Sequence, residues 1–186
     1  MRISRAVSGF LVLCLIILMT GCTKRYLITD ELSDPLIDEP ACSIGPVTDE
    51  LPIGFDEADK PAVETIDRFK DYIYEELAKR EIFSALHRGS GMGDYEVTGG
   101  ILDYKKGSGF LRFMFGAWAG GAKVTVSLRL VNTRTNKTEF GGDFTGSVTH
   151  WAEKGEQMFK QVAVDFAKQL EKQIKNLKKK KERSAG

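Results

Sequence analysis

"KVTVSLRLV", Lys123 to Val131, is the stretch that decides the fold. Val124, Val126, Leu128 and Leu130 share one parity, and Lys123, Thr125, Ser127 and Arg129 share the other. Apolar residues alternating with polar ones over this length describe a strand with one wet face. Such a strand belongs to a sheet covered on one side only, and sheets of that kind are mostly antiparallel. C-terminal to it, Asn132 to Lys137 supplies a turn in which Asn136 suits the left-handed conformation. Phe140 to Thr149 then returns, with Phe140, Phe144 and Val148 of one parity.

N-terminal to it, Tyr95–Thr98 through Ile101–Tyr104 alternates loosely, and Gly99 and Gly100 signal a bulge or a close neighbour. Ala41 to Val47 reads as a first short strand, which Pro46 confines to a sheet edge or a strand end because it lacks an N–H. Two helices complete the pattern. The first has Asp59 as cap, Pro61 in its first turn and an apolar stripe at Val63, Ile66, Phe69, Ile73 and Leu77. It is expected to end near Leu86, before the breaker that starts at Gly89. Glu64, Arg68, Glu75, Glu76, Lys79 and Arg80 lie opposite the stripe and read as a solvated face with acids four residues ahead of bases. The second helix runs from about Glu153 to Lys180, with its stripe at Phe159, Val162, Phe166, Leu170, Ile174 and Leu177. It is roughly 40 Å long, more than a typical strand layer, so its C-terminal end should overhang. The economical fold is α/β: a two-layer sandwich of a mostly antiparallel or mixed sheet with two amphipathic helices on one face.

The ends of the chain carry its charge. Residues 23–60 hold ten acids and three bases, residues 61–167 fourteen of each, and residues 168–186 eight bases and two acids. Ahead of all of them, Arg2 and Arg5 precede an apolar run from Phe10 to Met19, about half the length of a membrane-spanning helix. The run closes on Leu18-Met19-Thr20-Gly21-Cys22, which resembles a bacterial lipobox. The resemblance implies cleavage between Gly21 and Cys22 and fatty acylation, such as palmitate, on Cys22. Thr23 follows the anchored cysteine where inner-membrane retention is associated with aspartate, which favours the outer membrane, facing the periplasm. The organisation is therefore a signal peptide over residues 1–21, an acidic tether over 22–40, the sandwich over 41–177 and a basic tail over 178–186.

Little in the mature chain suggests chemistry. His87 and His150 are isolated, one at the expected end of a helix and one at the end of a strand, and no Gly-x-Ser-x-Gly elbow is present. With Cys14 removed and Cys22 acylated, Cys42 is left as a lone thiol that reads as a small buried hydrophobe. No His or Cys pair has metal-ligand spacing, and neither glycine cluster has the context of a phosphate loop, so no catalytic residue, metal or cofactor is expected. The lysine-rich tail suits either a solvated helix end or anionic lipid, and nucleic acid is not expected as a partner of an exported domain.

Phe113 to Val131, "FMFGAWAGGAKVTVSLRLV", followed by "NTRTNKTEF", resembles the bacterial lipoprotein family DUF4410, a domain of unknown function. That family shows an aromatic-Gly-x-x-x-Gly stretch, an alternating strand and an Asp-x-x-Thr-Gly-type turn. Here Asn132 stands for the Asp and Asn136 for the Gly. The likeness spans roughly Ala41 to Ile174 and implies an α/β domain similar to those of outer-membrane lipoprotein cofactors and assembly factors, with no catalytic residues to carry over. The expectation is a membrane-anchored lipoprotein whose non-catalytic domain binds a protein or envelope component. The alternative is an oligomerising assembly or pore-type subunit of the outer membrane. Phe113, Phe115 and Trp118 form the candidate interaction segment: with Phe110 they make four rings, which in water would be an apolar patch rare on a soluble monomer. Burial under the domain's own helices, contact with a partner or second copy, and insertion into lipid each answer that.

Overall fold

The alternating stretch lies inside the sheet, with a strand on either side. A computed structural model describes residues 26–33, 36, 40–107, 121–148 and 156–184. In it, β5 (Ala122–Asn132) pairs antiparallel with β4 (Tyr95–Lys105) and with β6 (Lys137–Val148). Val124, Val126, Leu128 and Leu130 are fully buried. On the opposite face Lys123 reaches Asp103 at 3.1 Å and the hydroxyls of Thr125 and Thr145 meet at 3.1 Å. The β5–β6 turn has the expected geometry: Asn136 takes φ 56°, and the Asn132 side-chain oxygen accepts from the amides of Arg134 and Thr135.

Three more strands extend the sheet. β1 (Tyr26–Asp30) runs antiparallel to β6, while β2 (Ala41–Asp49) is parallel to β4 and β3 (Ala85–Arg88) is parallel to β2. The order is β1-β6-β5-β4-β2-β3, antiparallel on one side and parallel on the other. α1 (Val63–Ala78) and α2 (Glu156–Ser184) cover the face that carries the β5 valines and leucines. The Phe69 and Phe159 rings join the two helices at 5.2 Å, and Phe166 lies 5.6 Å from Phe140 and 5.5 Å from Phe144. The expected α/β sandwich with both helices on one face is the fold observed.

Local details differ from the sequence reading. β1 falls within the residues read as tether: Tyr26 and Ile28 alternate with exposed Leu27, and Tyr26 stacks 6.2 Å from Phe144. β2 is flanked by two strands. Pro46 is tolerated there because it sits beyond the last β3 pair, Ile44 with Arg88, and inside the shift of the β2–β4 register between Ile44 and Val47. Gly99 has the close neighbour, Leu128, and the break in the β4–β5 register follows between Ile101 and Asp103.

α1 begins and ends elsewhere than expected. Asp59 belongs to a short 3-10 turn, Ala62 occupies the cap position with no side-chain bond, and Val63 is 71% exposed instead of lining the stripe. The helix stops at Ala78, eight residues before Leu86. Lys79, Arg80 and Glu81 carry no breaker, so nothing local announces the stop. Glu81 turns at φ 50°, Phe83 is buried, and Ala85–Arg88 pairs with β2. Core burial and a ladder together outweigh helix propensity, which is worth only tenths of a kcal/mol per residue. His87 therefore lies in β3, not at a helix end.

The two ends of the sheet are distinct. Ala122 faces Val148 and Lys123 faces Lys105 at one end, where the chain departs after β4 and β6 and re-enters β5 and α2. The β5–β6 turn marks the other.

Candidate functional site

Gly21, Cys22, Phe113, Phe115, Trp118 and His150 lie outside the described residues. Cys42 lies in β2 with no exposed surface, and burial pushes its thiol up to about 12. A thiol held protonated in the core is a poor nucleophile. In a Cys14→Ser, Cys22→Ser chain, native protein at pH 8 is expected to react with an aromatic disulfide reagent only as fast as it unfolds, and at once in denaturant. Stoichiometric labelling of the folded chain within seconds would contradict the burial.

A groove of about 420 Å³ opens between α1, the middle of β2 and the carboxyl end of β3. Ile44, Gly45 and Pro46 form its strand wall, and Asp67, Lys70 and Asp71 project from α1. β3 ends in Arg88, whose guanidinium pairs with Asp71 at 2.9 Å and lies 4.7 Å over the Tyr74 ring. Gly89 then turns the chain away at φ 104°, a conformation a side chain would strain, while its amide donates to the Ile44 carbonyl at 3.2 Å. Lys70 pairs with Asp67 at 2.7 Å. The lining thus holds two cations and two anions, already paired and partly exposed. Pairs of this kind are worth about 0–1 kcal/mol, so a polar ligand exchanges with them at little cost. The lining contains no histidine or cysteine, and Ser90 supplies its hydroxyl.

A smaller cleft of about 140 Å³ lies on the open face of the sheet, among Thr48, Glu50, Thr98, Ser127 and Arg129. Thr48 has its hydroxyl 3.2 Å from the Gly99 carbonyl and 3.3 Å from the Glu50 carboxylate. Among the described residues no group of three His, Cys, Asp or Glu is placed to hold a metal ion.

Of the charges read as a solvated face of α1, Glu64, Arg68, Glu75 and Lys79 are exposed as expected, Glu76 is buried, and Arg68 and Arg80 also reach across to α2. Arg68 binds Glu156 at 2.8 and 3.0 Å, and the Tyr72 hydroxyl donates to the same carboxylate at 3.3 Å. The Glu156 partner pushes the Arg68 guanidinium further up, while burial and then that carboxylate raise the Tyr72 phenol. Twelve residues on, a little over three turns, Arg80 spans Glu76 at 3.5 Å and Glu171 at 3.4 Å. This seam aligns the helices in one direction. The groove was missed because Arg88 and Asp71 meet only through the β2–α1–β3 crossover; Asp67, Lys70 and Asp71, one helical turn apart, are the local signal that was available.

A family model described as domain of unknown function DUF4410 matches residues 52–152, from the approach to α1 through β6. Among curated proteins no sequence relative matches. Among solved structures, a point variant of the PelC dodecamer from Paraburkholderia phytofirmans superposes with a TM-score of 0.55 at 9% identity, over 75% of this chain and 91% of PelC. A second crystal form of the PelC dodecamer gives 0.53 at 11% identity, over 75% and 93%. A Xanthomonas campestris protein assigned to family DUF330 gives 0.47 at 12%, over 86% and 95%. At these identities the likeness is one of fold.

Proposed function

We propose that this chain, which belongs to the DUF4410 family of domains of unknown function, is a lipid-anchored envelope protein whose sandwich is a non-catalytic binding module. The observation that carries the reading is the apolar run closing on Thr20-Gly21-Cys22, only four residues before Tyr26 enters the sheet. Among the described residues no helix is long and apolar enough to cross a membrane, so the reading rests membrane attachment on Cys22. Thr23 directs the anchor to the outer membrane, with the domain in the periplasm. The groove beside Arg88 supports recognition, since its charged groups pair with one another at the surface, where a polar ligand can exchange with them. Cys22→Ser is expected to abolish labelling by a fatty acid precursor and leave uncleaved chain in the inner membrane. Persistent labelling of that variant would sink the anchor.

A second reading is an assembling subunit. PelC, which shares this fold, is described as a dodecamer. The edge strands β1 and β3 are only five and four residues long, too short to template much strand pairing, so assembly would use other surfaces. Light scattering on the detergent-solubilised chain separates the readings: a defined ring favours assembly, a monomer the binding module.

A further inference from the structure

α2 outruns the domain it covers. Its last fully buried residue is Leu170, and fourteen more follow to Ser184, about 21 Å of helix. That extension carries Lys172, Lys175, the four lysines 178–181 and Arg183 against Glu171 and Glu182. Lys168, Lys172, Lys175, Lys179 and Arg183 recur at spacings of three and four, so they stack along one face, about 22 Å from end to end. All five are exposed, and Lys175 pairs with Glu171. The apolar residues of the extension, Ile174 and Leu177, pack toward the core on the opposite side. No apolar face is therefore free to enter a bilayer, as an interfacial helix requires. Like charges at four-residue spacing weaken a helix, and the helix dipole offsets this only in the last turn, where Lys181 and Arg183 lie.

Its direction can be derived. Tyr26 pairs with Phe144, and β1 runs from there toward Gly141, so the chain arrives from the Val148 end of the sheet. α2 runs the same way as β1, away from the Val148 end: Met158 backs Gly146, Phe166 lies level with Phe140 and Phe144, and Ser184 is eighteen residues further on, about 27 Å. Three residues separate Cys22 from Tyr26, four steps of chain that reach at most about 14 Å. An anchor at Cys22 thus holds the bilayer at the opposite end of the domain from the ridge, beyond the ~8 Å screening length of physiological salt.

We infer that the basic ridge of α2 is a docking surface for a soluble anionic polymer, one bearing closely spaced carboxylates or phosphates, on the side of the domain facing away from the anchoring membrane. The orientation rests on the lipid-anchor reading; the polymer binding does not. Charge complementarity commits the ridge to such a partner, and the absence of a free apolar face on it argues against lipid. Binding should displace counterions and so weaken steeply with salt.

The test uses the mature acylated chain, in neutral detergent and in phosphatidylcholine vesicles, with polyphosphate and poly-L-glutamate as probes. A variant carrying Lys172→Gln, Lys175→Gln, Lys179→Gln and Arg183→Gln is expected to bind both probes about tenfold or more weakly at 0.15 M salt. A Lys172→Arg, Lys175→Arg, Lys179→Arg variant, which keeps the charge, should bind like the parent. Matching melting curves exclude misfolding as the cause. Equal affinity in detergent and on vesicles supports the outward direction; affinity lost on vesicles but kept in detergent overturns the direction alone. An unacylated chain that still binds in detergent would mark failure of the anchor reading with the polymer site intact. Binding to phosphatidylglycerol vesicles without binding to either polymer, or a glutamine variant that binds as well as the parent, overturns the proposal.

Discussion

Phe166→Ala is expected to lower the free energy of unfolding by about 3–5 kcal/mol, the range for deleting a fully buried ring. The ring has no exposed surface and is held between Phe140 and Phe144, the second meeting it edge-on. Phe144 in turn carries Tyr26 of β1. The void left by alanine would be lined on one side by β6, tied by ladder bonds to both neighbours, and that wall resists collapse. Urea unfolding followed by circular dichroism gives the value. Phe166→Leu keeps most of the volume and should lose less than half as much. A loss below about 1.5 kcal/mol for the alanine variant would mean that α2 does not seat this ring between the two phenylalanines.

That cluster is legible in the residues themselves. Phe140 and Phe144 share a parity on a strand, Phe166 lies on a helical stripe, and the two periods predict that they face each other. The same two signals yield β5, β6 and α2, because each repeats over nine or more residues and has one wet side. Shorter or conflicting signals fail. β1 alternates over only five residues within an acidic stretch, so its pairing to β6 had no local mark. The stop of α1 was invisible because Lys79, Arg80 and Glu81 favour helix; Phe83 and the β2 ladder decide it. Among functional features, the proposed signal at Thr20-Gly21-Cys22 is a contiguous run and so can be read from the residues directly. The groove does not, since Arg88 meets Asp71 and Tyr74 only after a crossover has been folded. The interhelical seam sits between these cases. Its residues were identified as charged pairs, but a helical wheel shows partners on one helix and cannot show Glu156 and Glu171 arriving from the other.

Gly146→Ala is expected to cost about 3 kcal/mol, at the upper end for overpacking, and Gly146→Val more. A Cβ added at Gly146 would lie 1.9 Å from the Met158 carbonyl oxygen and 2.6 Å from its carbon. Those are backbone atoms of the first turn of α2, so no rotamer change relieves the overlap; the helix must lift from β6 or slide along it. Lifting uncovers Met158, Phe159 and Val162, all buried, and pulls Glu156 from Arg68. Sliding moves every later contact of α2, including the level of Phe166 and the point at which the basic ridge leaves the domain. Ser147→Ala, on the exposed neighbour, is the control and should stay within about 0.5 kcal/mol of the parent. Thermal melts of the three proteins decide the matter: a Gly146→Ala chain melting within about 2 °C of the parent would show that α2 is not seated on β6 at this glycine. A large loss, with helix content retained, would place the start of α2 at Gly146 and thereby set the length of basic helix that projects past Leu170 at the other end.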